Sequence, residues 1–73
     1  MNRDDWHRAD IIAALKKRDT SLAALSRSSG LASATLANAL YRHWPKGEQI
    51  IARALETTPQ HIWPSRYPKK EKI

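Results

Sequence analysis

The chain has 73 residues, no cysteine, two glycines and four prolines, and its 13 Lys and Arg against seven Asp and Glu leave a net charge of +6. So short a chain makes one domain with a modest core, and without cysteine neither disulfide staples nor cysteine-ligated zinc is available. No apolar run reaches the roughly 20 residues of a membrane span and no signal-peptide pattern opens the chain, so a cytoplasmic protein is expected.

A first helix is predicted from about Asp5, whose carboxylate suits the positive end of a helix dipole, with Ile11, Ile12 and Leu15 as its inward stripe. Lys16, Lys17 and Arg18 close it at the negative end, where they are also placed to touch a phosphate. Trp6 lies off the stripe and is expected to fold back on the core from a non-helical lead-in. After the connector Asp19–Ser21, with Thr20 or Ser21 as cap, a second helix runs over about Leu22–Ser29. It stops at Gly30, because only glycine takes left-handed backbone cheaply. A third helix is predicted from a Ser33 cap through Arg42, carrying Leu36 and Leu40 inward.

Trp44-Pro45 then breaks the pattern, since the residue before proline avoids helical geometry. A fourth helix follows from Lys46 or Gly47 to Glu56, with Ile50, Ile51, Ala54 and Leu55 inside. Thr58-Pro59 starts a short fifth helical turn through Ile62, and Trp63-Pro64 ends it. The tail Ser65–Ile73 sets Arg66, Lys69, Lys70 and Lys72 against Glu71 alone. It reads either as an ordinary disordered end or as a basic arm for a polyanion. With no period-two pattern, the expected fold is all-α. It is one compact five-helix domain over residues 1–73, with 1–4 and 68–73 as flexible ends.

The leucines around Gly30 carry the functional signal. Leu22, Leu25, Leu31 and Leu36 fall where two crossed helices bury them, and small Ser26 suits their close approach. This is helix-turn-helix spacing. The positive charge alone fits a solvated surface as well as a polyanionic partner. Its distribution favours the partner, because Thr20–Gly47 holds no acidic residue while carrying Arg27, Arg42 and Lys46. In this motif the second helix lies in the major groove of double-stranded DNA. Candidate base contacts on its outer face are Ser33, Ala34, Thr35, Ala37, Asn38 and Arg42. Asn38 can pair twice with an adenine edge, Arg42 with guanine or a phosphate, and Ala34 and Ala37 can meet a thymine methyl. Candidate phosphate contacts are Arg27, Ser28, Tyr41, His43 and Lys46. The leading turn carries little positive charge, so part of any specificity is expected from DNA shape.

Catalytic and metal chemistry find no support. His7, His43 and His61 lack ligand spacing, and neither a nucleophile elbow nor a phosphate-cradling glycine loop is present, so no enzyme, cofactor or metal is expected. The three tryptophans read as core anchors or helix stops, because a base-stacking platform needs a sheet. A different class of function stays open: a small basic module docking an acidic partner from transcription or transposition machinery.

The blocks DWHRADIIAALKKR, LSRSSGLASATLANAL, HWPKGEQIIARALET and IWPSRY together resemble the Ner proteins of Mu-like transposable phages, over about Asp5 to Tyr67. Bacterial Ner-like regulators carry similar blocks with longer C-terminal extensions, and a chain stopping soon after Tyr67 favours the phage form. The resemblance implies a lambda-repressor-like five-helix fold without a wing. It also implies a repressor of early phage transcription acting in the lytic–lysogenic decision, bound as a homodimer to its operator. Since no exposed apolar stripe suggests a strong free dimer, pairing is expected on DNA, from a monomer in solution.

Overall fold

The computed structural model describes residues 5–67; the ends expected to be flexible, 1–4 and 68–73, lie outside the described residues. Four α-helices are present among them: α1 (Arg8–Lys17), α2 (Leu22–Ser28), α3 (Pro45–Ala54) and α4 (Pro59–Ile62). Two 3-10 helices, Leu36–Leu40 and Pro64–Arg66, complete the described chain, which contains no strand. The all-α expectation holds, but the α-helix count is four and not five. The third expected helix is where they differ.

Four of the elements supply the buried apolar core. Ile11 and Leu15 come from α1, Leu36 and Ala39 from the first 3-10 helix, Ile51 and Leu55 from the α3 side, and Ile62 and Trp63 from the α4 end. Leu22, Leu25 and Leu40 pack against that centre while staying partly exposed. Ile12 was expected in the same stripe but is 44% exposed, since the inward register of α1 is Ile11 and Leu15, one turn apart.

α1 starts later than Asp5 suggested. Its cap is His7, whose Nδ1 accepts from the Ala9 N–H at 3.0 Å. Asp5 instead turns its carboxylate to the far end of the chain, accepting from the Ser65 N–H at 3.0 Å and from the Ser65 hydroxyl. Next to it, the Trp6 N–H donates to the Ile62 carbonyl at 2.9 Å, and the Trp6 ring meets His61 edge-on at 5.9 Å. Trp6 thus packs on the core from a non-helical lead-in, as expected. These contacts tie the start of α1 to the segment after α4.

Both Trp-Pro pairs begin an element, and Trp63 also ends one. Trp44 is extended (φ −142°, ψ 91°), as a residue before proline must be, and Pro45 takes the first position of α3, where its missing N–H costs nothing. α3 therefore spans Pro45–Ala54 and not Lys46–Glu56, and Glu56 beyond it is left-handed (φ 60°). Pro64 likewise opens the second 3-10 helix. Thr58 caps α4 as expected, its Oγ1 accepting from the His61 N–H at 3.2 Å, with Pro59 at the first position.

Gly47 is buried on the first turn of α3, directly beneath the Trp44 indole. A Cβ there would overlap the six-membered ring of Trp44. Gly47→Ala is expected to push the indole off its seat and cost about 1–3 kcal/mol, the usual penalty of overpacking. Urea denaturation should show the lost stability, together with a red shift in tryptophan emission. An unchanged midpoint would mean that the indole moves aside freely.

Candidate nucleic-acid interface

The turn between α2 and the following segment is built as a helix-turn-helix requires. Ser21 caps α2, its Oγ accepting from the Ala24 N–H at 3.1 Å. Gly30 sits at φ 78°, in the left-handed region, and the Leu31 N–H returns to the Ser26 carbonyl at 2.8 Å. Ser26 itself is fully buried, and its Oγ accepts from the Leu36 N–H at 2.9 Å. A small hydroxyl therefore does more than permit close approach. It fixes the start of the next element to α2 across the turn.

That element is not the α-helix expected from Ser33 to Arg42. Residues 33–35 form a turn, and Leu36–Leu40 wind as a 3-10 helix. Ser33 does not cap it; the Ser33 Oγ accepts from the Arg27 guanidinium at 3.2 Å, while Ser26 supplies the capping oxygen. The far end also finds partners outside the helix. The carbonyls of Ala39, Leu40 and Arg42 accept from the Arg66 guanidinium at 2.6, 3.3 and 2.9 Å. The Trp44 N–H, which an α-helix would give to Leu40, goes instead to Glu48 Oε2 at 2.8 Å. With both ends held by non-helical partners, the five residues between them take the tighter winding.

Arg66 therefore does not belong to a loose basic tail. Its side chain is 16% exposed and ion-paired at 2.8 Å to Glu48, which is fully buried. Glu48 gathers four donors: Arg66, the Trp44 N–H, His43 Nδ1 at 2.9 Å, and the Tyr67 hydroxyl on its other oxygen. Burial pushes the Glu48 carboxyl up, but the hydrogen bonds from Tyr67, His43, the Trp44 N–H and Arg66 outweigh it and hold the group below its ordinary value. Burial, the Glu48 hydrogen bond and the Glu48 charge push the Tyr67 phenol up to about 12, against a smaller opposing effect of Arg66.

Glu48 binds its proton less readily when folded, so its stabilisation is present above the ordinary carboxylate range and disappears as pH falls through the lowered value. Tyr67 holds its proton more tightly when folded, so its contribution is complete below pH 10 and is lost as pH rises toward about 12. Thermal melts of the chain should fall off on both flanks, and Tyr67→Phe should flatten the alkaline flank and, by taking a donor from Glu48, weaken the acid flank as well. An identical alkaline slope in that variant would remove Tyr67 from the network.

Three candidate base-contacting residues come together on the outer surface. Thr35, Asn38 and Arg42, with His43 and Trp44, line one open depression of about 360 Å³, while Leu36 and Ala39 of the same segment are fully buried beneath it. Ser33 and Ala34 are exposed on the preceding turn, and Ala37 is half-buried. The candidate phosphate contacts are more scattered. Arg27 and Ser28 are exposed at the end of α2, but the Ser28 hydroxyl donates back to the Leu25 carbonyl at 3.1 Å. Tyr41 is 69% exposed, with the Arg8 guanidinium 5.8 Å from its ring centre. Lys46 is exposed on α3 and lines a separate depression with Gln49 and Arg53. His43 is partly committed: its Nδ1 must donate to the Glu48 carboxylate, and its ring meets Tyr67 edge-on at 5.3 Å. Only its Nε2 is left for a phosphate, to which it donates only when both ring nitrogens carry a proton.

Glu48 and Tyr67 were missed as structural residues, yet the sequence carried a signal. Glu48 stands three before Ile51 and seven before Leu55, on the apolar face of α3, where a lone carboxylate requires a buried partner.

Sequence and structure comparisons bear on the helix-turn-helix and the family. The model of the family described as winged helix-turn-helix DNA-binding matches residues 5–73. The chain is similar to the negative regulator of transcription of Escherichia phage Mu, 76% identical over 63 residues, which cover 86% of this chain and 84% of that one. It is 70% identical over 63 residues to sugar fermentation stimulation protein B of Escherichia coli K12, covering 86% of this chain and 68% of that protein. It matches the solution structure of the Mu Ner protein with a TM-score of 0.79 and 71% identity, over 94% of this chain and 93% of that one. A helix-turn-helix of this form, matched at this identity over nearly all of its length, places the chain in the Ner family of DNA-binding proteins.

Proposed function

We propose that the chain is a sequence-specific, double-stranded-DNA-binding repressor of transcription, acting on a phage early operon at the lytic–lysogenic decision. The observation that carries this reading is the shared depression of Thr35, Asn38 and Arg42 over a segment whose Leu36 and Ala39 side chains are buried in the core. The name of the phage Mu relative, a negative regulator of transcription, supports the direction of the effect. In this reading Thr35 and Asn38 meet base edges, with Ser33, Ala34, Ala37 and Arg42 beside them. Arg27, Ser28, Tyr41, Lys46 and the free Nε2 of His43 lie toward the phosphates. The domain works without a wing, in keeping with the lack of strands among residues 5–67. It acts in the host cytoplasm, at the nucleoid when bound, and needs no cofactor.

A gel shift with a phage early-promoter fragment under excess random competitor DNA tests the reading. A surviving retarded band is expected. Loss of all complex under competitor would favour a protein-docking module instead. Lys46→Ala should weaken every duplex alike and lower the slope of log affinity against log salt by about one, the mark of a single lost phosphate contact. An unchanged slope would remove Lys46 from the phosphate set. One half-site gives so small a domain little affinity, so two copies are proposed about one helical turn apart on DNA. Sedimentation should find a monomer at micromolar concentration without DNA and a pair of chains with it.

A further inference from the structure

We propose that Arg66, held by Glu48, is a positioning residue for base reading: it sets where Thr35 and Asn38 stand, and thereby controls sequence discrimination and not general affinity for DNA. This rests on the reading of Thr35–Arg42 as the DNA-reading segment. Five residues of 3-10 helix cannot hold their own geometry, because so short a helix has too few internal bonds to offset its ordering. The Leu36–Leu40 segment is instead clamped at two points. Ser26 Oγ takes the Leu36 N–H, and the Arg66 guanidinium takes the carbonyls of Ala39, Leu40 and Arg42. Asn38 lies between the clamps. Its own carbonyl accepts from the N–H groups of Tyr41 and Arg42, whose neighbouring carbonyls Arg66 fixes.

The charge of Arg66 is not spare for phosphate. It is neutralised by buried Glu48, and its guanidinium also lies over the Trp63 ring, 5.1 Å from the centre. Its position in the second 3-10 helix is outside the helix-turn-helix altogether, so its effect on bases must pass through the segment it holds. Bidentate base pairing tolerates only small displacements, whereas long side chains on other elements follow a phosphate easily. Loosening this clamp should therefore reduce discrimination and leave the salt-dependent term alone.

The test uses the full chain and a duplex recovered by selection from a random library. The comparison duplex changes the base pair whose identity matters to Asn38. Arg66→Lys keeps the positive charge beside Glu48 but cannot span three carbonyls with a planar fork. Measured where circular dichroism shows the variant folded, the affinity ratio between the two duplexes should fall about tenfold, of the order of one good base contact. The salt slope should stay at its wild-type value. A purely structural role would weaken both duplexes by the same unfolded fraction, and a folded Arg66→Lys with its ratio intact would overturn the proposal. If Arg66→Lys does not fold, Tyr67→Phe, which takes one donor from Glu48, should still lower the ratio, and a full ratio there overturns the proposal equally. A wild-type chain with no preference between the duplexes would overturn the DNA reading and this inference together, which separates that failure from the other two.

Discussion

Glu48→Ala is expected to destabilise the domain by about 3–5 kcal/mol, the cost of leaving a buried charge without its partner. The charge left behind is Arg66, and with it go the anchors of the Trp44 N–H, His43 and the Tyr67 hydroxyl. A single domain has only about 5–15 kcal/mol in total, and one this small sits at the low end. The variant should therefore be largely unfolded at 37 °C. Urea denaturation followed by circular dichroism checks this, and an unfolding free energy within about 0.5 kcal/mol of wild type, the usual range for a surface change, would refute it. The double variant Glu48→Leu with Arg66→Met should recover part of the loss, because an apolar pair needs no desolvated charge balanced. Recovery would come at the expense of the Arg66 bonds to the Ala39, Leu40 and Arg42 carbonyls.

Asn38→Ala is expected to act on binding and leave folding alone. Asn38 is exposed and its side chain makes no contact that holds the core, so its removal should leave the melting curve in place. Against a selected duplex it should lose about 1–3 kcal/mol, the worth of one bidentate pair, and against random DNA almost nothing. Competition binding at a stated salt concentration measures both. An equal loss on the two DNAs would move Asn38 from the bases to the backbone.

Much of this was legible in the chain because local rules decide it. Gly30 had to take left-handed backbone, Thr20 or Ser21 had to cap and so did Thr58, and the leucine spacing around Gly30 had to cross two short elements. What escaped was set by partners distant in sequence. The winding of Leu36–Leu40 depends on Ser26 ten residues earlier and on Arg66 more than twenty later, and no helical periodicity reports either. Asp5 has the chemistry of a helix cap, but Ser65 sits closer to its carboxylate in the fold. Arg66 reads as one more charge in a basic tail until Glu48 is seen on the apolar face of α3. The Asn38 depression was legible as a face, since the leucines defined the opposite side.

The most direct measurement is of contacts between the labelled chain and its selected duplex in solution. Nuclear Overhauser effects should link the Asn38 side-chain amide and the Thr35 methyl to major-groove protons, with the largest amide shifts over residues 35–42. Contacts confined to the Gln49 and Arg53 side of α3, with the Thr35–Arg42 face unmoved, would contradict the assignment of that face to DNA.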